Sequence, residues 1–391
     1  MEIYNELGAG SYGSVFQCKY NGKFYAAKFI VLDISILDVL TRELVLLSKL
    51  QRVSDHVANV YYAGIVSQKY FVLLLEQCYK IHKKNEKSAS MILSTLGHAL
   101  LTIHDHDILH RDIAPNNIML RPNGKVAFID FGLACLGPSK NCRSAFSSHV
   151  TTISTRAPEL INANKFLSYG KEIDVYSIAA VSLYYSGLPL YYGDPKTDNY
   201  ETNVWPFLYS SISKIPDERY RFSKLLSKHD RPSLRSAIQD LPRCSFEAKP
   251  LPEPKEILKT YEFDFVVNIF ESTVSNSICD SHLDFSESLR ATFEECIHGH
   301  SMCITKRTKT LAALLCNGDC LVTACVCFSI CWSFHEHIKS DHVKNLVKYC
   351  KLSQQKFLVR FSECLCQTSL LKDFFSQCET KSKDCSNVQN E

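Results

Sequence analysis

At 391 residues the chain is too long for one small module, and at roughly 100–200 residues per domain it has room for two or three cores. Its 46% hydrophobic and 22% charged residues, with 14 Gly and 13 Pro, exclude disordered, collagenous and low-complexity classes. A net charge of +3, from 44 Lys+Arg against 41 Asp+Glu, is too balanced for strong nucleic-acid steering, so no nucleic-acid partner is expected.

The N-terminus, Met1-Glu2-Ile3-Tyr4-Asn5-Glu6, has no basic stretch followed by an apolar run, so no signal peptide is expected. The 18 cysteines are then read as reduced, mostly as small core hydrophobes, and they are uneven: five precede residue 250 and thirteen follow it. The densest group, Cys316, Cys320, Cys325, Cys327 and Cys331 with His335 and His337, contains no C-x2-C pair and is not read as a zinc site. The longest apolar stretch, Leu321 to Phe334, is shorter than the ~20 residues of a membrane-spanning helix and reads as a buried core helix, so no membrane partner is expected.

From Gly8 the chain runs Gly8-Ala9-Gly10-Ser11-Tyr12-Gly13-Ser14-Val15 between β-rich neighbours. Glycines at this spacing let a hairpin backbone approach phosphates with its N–H groups. The G-x-G-x-x-G pattern alone is weak, because dinucleotide folds carry it too. Those folds open a helix at the glycines, whereas here a second strand follows, Phe16 through Tyr20, closing at the hairpin pair Asn21-Gly22.

The next strand, Phe24–Ile30, carries a lone Lys28 in an apolar run. A buried unpaired ammonium would cost several kcal/mol, so Lys28 needs an anionic partner or a polar cleft. The helical spacing of Leu37 to Leu50 offers Glu43 among Leu40, Leu44, Leu47 and Leu50; a solvated surface carboxylate is the bland alternative.

The segments His110-Arg111-Asp112-Ile113-Ala114-Pro115-Asn116-Asn117 and Ile129-Asp130-Phe131-Gly132 hold two carboxylates 18 positions apart, with Asn117 five after the first. They offer a base for a hydroxyl and oxygen ligands for Mg²⁺. The turn at Asn123-Gly124 folds Ile118–Leu120 onto Val126–Phe128, which lets Asp112, Asn117 and Asp130 converge, and Ala157-Pro158-Glu159 follows downstream.

On these motifs residues 1 to about 245 resemble the eukaryotic protein kinase catalytic domain, with Ser/Thr-like and cyclin-dependent-kinase-like features. The resemblance implies an α+β fold of two lobes, the first β-rich with one helix, the second mainly helical. It implies ATP and Mg²⁺ as cofactors and protein substrates as partners. Gly8, Gly10 and Gly13 would cover the ATP phosphates, Val15 and Ala26 would pack on the adenine, and Lys28 would hold the α- and β-phosphates while paired with Glu43. Asp112 would be the catalytic base, and Asn117 and Asp130 would bind Mg²⁺. The run Tyr70–Cys78 looks like the strand entering the hinge, with Leu75 behind the adenine and Glu76 to Cys78 offering it backbone hydrogen bonds. Asp174 resembles the aspartate that braces the catalytic loop, and Arg231 the arginine that pairs with Glu159.

One position departs from the pattern. Ser/Thr kinases usually carry a lysine two residues after the catalytic aspartate, where this chain has Ala114. The lost cation keeps an inactive pseudokinase, acting as a binding module or scaffold, as the alternative. Ala114→Lys is expected to raise kcat unless another cation already serves. Thr152 sits where Ser/Thr kinases place a threonine on the catalytic aspartate, which favours Ser/Thr acceptors. Arg111 would meet a phosphate on the activation segment Leu133–Ser154, with Ser147 or Ser148 nearest the usual site; hydrogen bonding to loop carbonyls is the alternative.

Residues 246–256 alternate proline with polar residues and read as a stiff linker. Beyond it the expectation is an all-α domain over 257–370, with helices Ile257–Phe270, Leu283–Ile297, Leu311–Cys316, Leu321–Phe334, His342–Cys350 and Gln354–Cys366, then a polar tail, 371–391. About 50 residues of it resemble the central helices of a cyclin box, so the helical domain is a candidate intramolecular activator pressing on Leu37–Leu50. Only 57 positions separate Asp174 from Arg231, a compactness that would suit a kinase of a large DNA virus. The expected location is cytoplasmic or nuclear, in the host cell if viral.

Overall fold

Asn21 and Gly22 lie at φ of 47° and 76°, the left-handed pair that matches a two-residue turn to the twist of its strands. They join β2 (Gly13–Tyr20) to β3 (Lys23–Val31) in the computed structural model, which describes residues 1–10, 13–82, 87–136, 152–160, 169–193, 199–269, 320–335 and 340–368, with positions 308, 311, 312 and 315. β1 (Glu2–Gly10) pairs with β2, and β3 continues through β5 (Tyr70–Leu75) to β4 (Val60–Val66), all antiparallel. Between β3 and β4 runs α1, on the residues that the leucine spacing predicts, Leu37–Leu50.

The second lobe follows β6 (Tyr79–Lys80). Its centre is α2 (Ala89–His104) packed on α3 (Glu172–Tyr185), with α4 (Trp205–Ile212), α5 (Arg219–Leu225) and α6 (Leu234–Ile238) around them. Gly97 allows α6 to approach α2, since a Cβ there would meet Ile238 Cγ2 at 2.9 Å. On the cleft side, β7 (Ile108–Leu109) pairs with β10 (Cys135–Leu136), and β8 (Ile118–Leu120) folds onto β9 (Val126–Phe128) through the Asn123-Gly124 turn, as the sequence predicts.

The helix expected over Ile257–Phe270 is corrected by the structure: β11 (Lys259–Thr260) and β12 (Phe263–Asn268) occupy this stretch. The reason is tertiary. β11 pairs with β1 and β12 with β4, so both open edges of the first sheet are taken by one short segment. Edge strands present unpaired N–H and C=O groups, and satisfying two rows of them outweighs the local helical spacing. A register shift between Phe263 and Phe265 sends the first ring to the outer aromatic cluster and the second to the main core. At the turn, Tyr261 N donates to Met1 O at 2.9 Å and the Met1 ammonium donates to Tyr261 O at 2.8 Å.

Among the described residues the remaining helices are α7 (Cys320–His335), α8 (Ser340–Tyr349) and α9 (Gln354–Thr368), close to their expected bounds. The segments Leu283–Ile297 and 371–391, and the Leu311–Cys316 helix as a whole, lie outside the described residues. α7 packs against α1, and α9 packs against α7, β4 and β12. A surface helix keeps one polar face in water. In α1 every residue but Lys49 is buried, because the C-terminal helices cover the side that the sheet leaves open. Cys325, Cys327, Cys331, Cys350, Cys364 and Cys366 are buried in this region. Among the described residues, no helix is long and apolar enough to cross a membrane, and no group of His, Cys, Asp and Glu is arranged to hold a metal by itself.

Candidate active site

Lys28 faces inward from β3 and is 7% exposed; its Nζ bonds Glu43 Oε1 at 2.6 Å and Oε2 at 2.8 Å, and lies 3.4 Å from Asp130 Oδ1. Burial disfavours its charge, but the two carboxylates more than offset this and raise its pKa above the usual lysine range. Burial pushes the Glu43 carboxyl up, with Lys28 pulling the other way. For Asp130 burial again opposes charge, yet Lys28, His110 and the Gly132 N–H together hold it below the ordinary carboxylate range.

The base candidate, Asp112, is fixed at both oxygens. Thr152 donates to Oδ1 from its N–H at 2.9 Å and its hydroxyl at 2.8 Å, as the Thr152 position predicts. Asn117 Nδ2 donates to Oδ2 at 2.8 Å and to the Asp112 carbonyl at 2.9 Å. The Asn117 carbonyl accepts from Ile129 N at 3.0 Å, which sets Asn117 beside Asp130. The hydrogen bonds of Asn117 use its amide nitrogen, and Asp130 uses Oδ1 toward Lys28 and Gly132 N, so the carboxamide oxygen and Oδ2 are the oxygens left to bind a cation. Two hard oxygen donors of this kind fit Mg²⁺, which takes one or two protein oxygens and completes its shell with phosphates and water.

Two residues of this constellation, Arg111 and Asp130, both have φ of 63°, a left-handed conformation that costs a non-glycine residue roughly 1–2 kcal/mol. Asp174 holds the first kink: Oδ2 accepts His110 N at 2.8 Å and Oδ1 accepts Arg111 N at 2.9 Å. His104 Nε2 lies 2.9 Å from Asp174 Oδ2. Burial raises and these hydrogen bonds lower the Asp174 pKa, with a net fall. Arg111 itself donates from Nε to Leu133 O at 2.5 Å and from Nη1 to the Tyr169 hydroxyl at 3.2 Å, the loop-carbonyl alternative for the described part of its surroundings. The expected phosphosites Ser147 and Ser148 lie outside the described residues. Arg231 forks onto Glu159 at 2.7 and 3.2 Å, as predicted.

Gly8 and Gly10 lie on β1, and Gly13 faces Gly10 across the hairpin, while Ser11 and Tyr12 lie outside the described residues. The three glycines differ in what they permit. A Cβ at Gly8 would meet nothing within 4 Å, and at Gly10 only Gly13 O at 3.8 Å; at Gly13 it would lie 1.8 Å from Phe29 O. Gly13 is therefore required by the close approach of β3, and only the first two leave open space for a ligand. Val15 pairs with Lys28 across β2 and β3, and Ala26 pairs with Leu75. At the hinge, Glu76 N donates to Asn59 O at 2.8 Å and its carboxylate accepts from Arg121 Nε at 3.0 Å, so of its backbone groups the carbonyl remains for a ligand. Cys78 is buried, its thiol pushed up to about 12 by burial and by the Glu76 charge.

Sequence reasoning missed three supports: His104 on Asp174, Arg121 on Glu76, and Arg42, whose Nε donates to Gly132 O at 3.1 Å while Nη2 bonds Asp38 at 2.8 Å. Only the Asp38–Arg42 spacing of four carried a signal. Gly132 itself leaves no room for a Cβ, which would lie 2.7 Å from Val39 Cγ1, so α1 touches the Asp-Phe-Gly segment at two points.

A two-lobed fold with a paired lysine, a braced acidic loop and a second acidic segment across a cleft defines a protein kinase. The chain belongs to the protein kinase domain family, which matches residues 1–301. It is 27% identical to the serine/threonine-protein kinase pakH of Dictyostelium discoideum, over 61% of this chain and 50% of that protein. It is 28% identical to the sporulation-specific mitogen-activated protein kinase SMK1 of Saccharomyces cerevisiae, over 49% of this chain and 55% of that protein. It is also 28% identical to the human cyclin-dependent kinase-like 2, over 51% and 42% of the two chains. The chain spans about half the length of the curated relatives it matches.

Proposed function

We propose that this chain transfers the γ-phosphoryl group of ATP to Ser or Thr hydroxyls of protein substrates. The observation that carries the reading is the meeting of Lys28 with Glu43 and Asp130, beside an Asp112 pinned between Thr152 and Asn117. In this reading Gly8 and Gly10 admit the phosphates, Val15 and Ala26 pack on the adenine, and the Glu76 carbonyl and Cys78 backbone hold its edge. Lys28, kept in place by Glu43, meets the α- and β-phosphates. Mg²⁺ held by Asn117 and Asp130 would neutralise phosphate charge when bound. Asp112, oriented by its two neighbours, takes the proton of the acceptor hydroxyl.

The C-terminal helices serve this site by holding α1 inward, which keeps Glu43 against Lys28; support comes from α7 on α1 and from β12 on β4. The alternative, a pseudokinase that acts as a scaffold, is favoured by one observation, the methyl group of Ala114 where a cation is usual. The test is incubation of the full chain with radiolabelled ATP, Mg²⁺ and a mixture of generic acceptor proteins, followed by phosphoamino-acid analysis. Phosphoserine or phosphothreonine is expected. Phosphotyrosine would overturn the acceptor, and ATP binding without transfer would establish the scaffold.

A further inference from the structure

Asp130 keeps a left-handed backbone, φ of 63°, and a kink of that kind lasts only where the residues on both sides of it are fastened. On the near side Ile129 N donates to Asn117 O at 3.0 Å, and Ile129 O lies 3.1 Å from His110 Nε2. On the far side the two carbonyls that follow Phe131 each meet a buried arginine. Arg42 Nε donates to Gly132 O at 3.1 Å, and Arg111 Nε donates to Leu133 O at 2.5 Å. Arg111 comes from the loop that carries Asp112, and Arg42 comes from α1 in the first lobe. The segment after Asp130 is thus gripped from both lobes at consecutive residues.

Arg42 is 5% exposed, and so is Asp38, whose Oδ2 accepts from its Nη2 at 2.8 Å. Four residues apart on one helix face, Asp38 fixes the guanidinium, and the planar fork leaves Nε to serve Gly132 O. Gly132 sits where α1 and Asp130 meet. A Cβ on it would lie 2.7 Å from Val39 Cγ1, 3.4 Å from Asp130 Oδ1 and 3.8 Å from Glu43 Oε2, and its N–H donates to Asp130 Oδ1 at 3.4 Å. Arg42 and Glu43 are consecutive, so one turn of α1 holds Lys28 through Glu43 and the Asp130 segment through Gly132.

We propose that Arg42 is a positioning residue for Mg²⁺: by holding Gly132 O it keeps the Asp130 carboxylate in the place from which it binds the cation. The position of α1 then sets the affinity for Mg²⁺ as well as the place of Lys28. The inference rests on the kinase reading above. Groups that hold a metal ligand from behind change metal affinity by roughly 10–100-fold when they are removed.

The test uses the full chain and a fluorescent, non-hydrolysable ATP analogue, with melting temperature as control. The analogue is titrated in EDTA, and Mg²⁺ is then titrated at a fixed analogue concentration to find the midpoint at which binding tightens. Arg42→Met should raise that midpoint at least about tenfold, while the analogue Kd in EDTA changes less than about twofold. The split separates positioning from a structural role, because an α1 that had come loose would free Glu43 from Lys28 and weaken the analogue in EDTA as well. A midpoint within about twofold of wild type, or equal weakening with and without Mg²⁺, would overturn the inference. Should R42M melt below the assay temperature, the double variant Asp38→Asn/Arg42→Met decides by the same two readings, since it removes both members of the buried pair together. A wild type that binds the analogue with no dependence on Mg²⁺ would remove the kinase reading and this inference with it. A Mg²⁺-dependent wild type beside an unchanged R42M removes the inference alone.

Discussion

Lys28 Nζ and Glu43 Oε1 meet at 2.6 Å although one sits on a sheet strand and the other on a helix, and both side chains are buried. The contact exists only while α1 lies against the sheet. It is therefore a direct readout of how the first lobe is held.

Glu43→Gln removes the charge that balances Lys28 and leaves the ammonium with Asp130 alone. Breaking a buried pair from one side costs about 3–5 kcal/mol, and a displaced lysine should lower kcat by about 100-fold. Thermal melting and steady-state transfer on the same preparation check both parts.

Gly64 provides a separate handle on α1 and its cover. It lies on β4, and a Cβ there would fall 2.3 Å from Phe265 O and 2.8 Å from the Phe263 ring. Gly64→Val should push β12 off its edge at a cost of about 1–3 kcal/mol. Hydrogen exchange should rise in 259–269 and in Leu37–Leu50 together. Faster exchange confined to 259–269 would show that the strand and α1 are not coupled.

The glycine hairpin separates ligand binding from packing. Gly8→Ala has space and should leave melting unchanged while raising KM(ATP), by a few-fold. Gly13→Ala drives a methyl into the β3 backbone, 1.8 Å from Phe29 O, and should lower stability by about 1–3 kcal/mol. Paired melting curves and ATP titrations distinguish the two.

Asp174 predicts the acid limb of stability. Burial opposes its charge, yet the hydrogen bonds from His104 and the His110 N–H hold its folded pKa below the ordinary carboxylate range, so the native state favours the charged form. That stability is fully present above the unfolded pKa and is lost as pH falls through the folded value, with Asp130 adding in the same direction. Melting temperature should therefore drop below about pH 4 in wild type. Asp174→Asn should be less stable at pH 7, by about 2–4 kcal/mol, and show a shallower acid limb.

The first lobe and its site were legible because their signals are local. Asn21-Gly22 marks a turn by its own backbone preference, the leucines of Leu37–Leu50 mark a helix by period, and Lys28 in an apolar strand demands a carboxylate by electrostatics. The strands at 259–260 and 263–268 were not legible, since nothing near them in the chain shows that two sheet edges need partners. For the same reason the stretch Ile257–Phe270, taken alone, reads as a helix. Long-range supports such as Arg42 on Gly132 and His104 on Asp174 leave no pattern in sequence, because each joins residues 70 or more positions apart.

The most direct test of the account is the rate of phosphoryl transfer from ATP by the full chain, compared with Lys28→Met and Asp112→Asn in the same assay. Wild type should transfer phosphate measurably, Asp112→Asn should fall by about 100- to 10,000-fold, and Lys28→Met should also be strongly reduced. Wild-type transfer indistinguishable from both variants would contradict it.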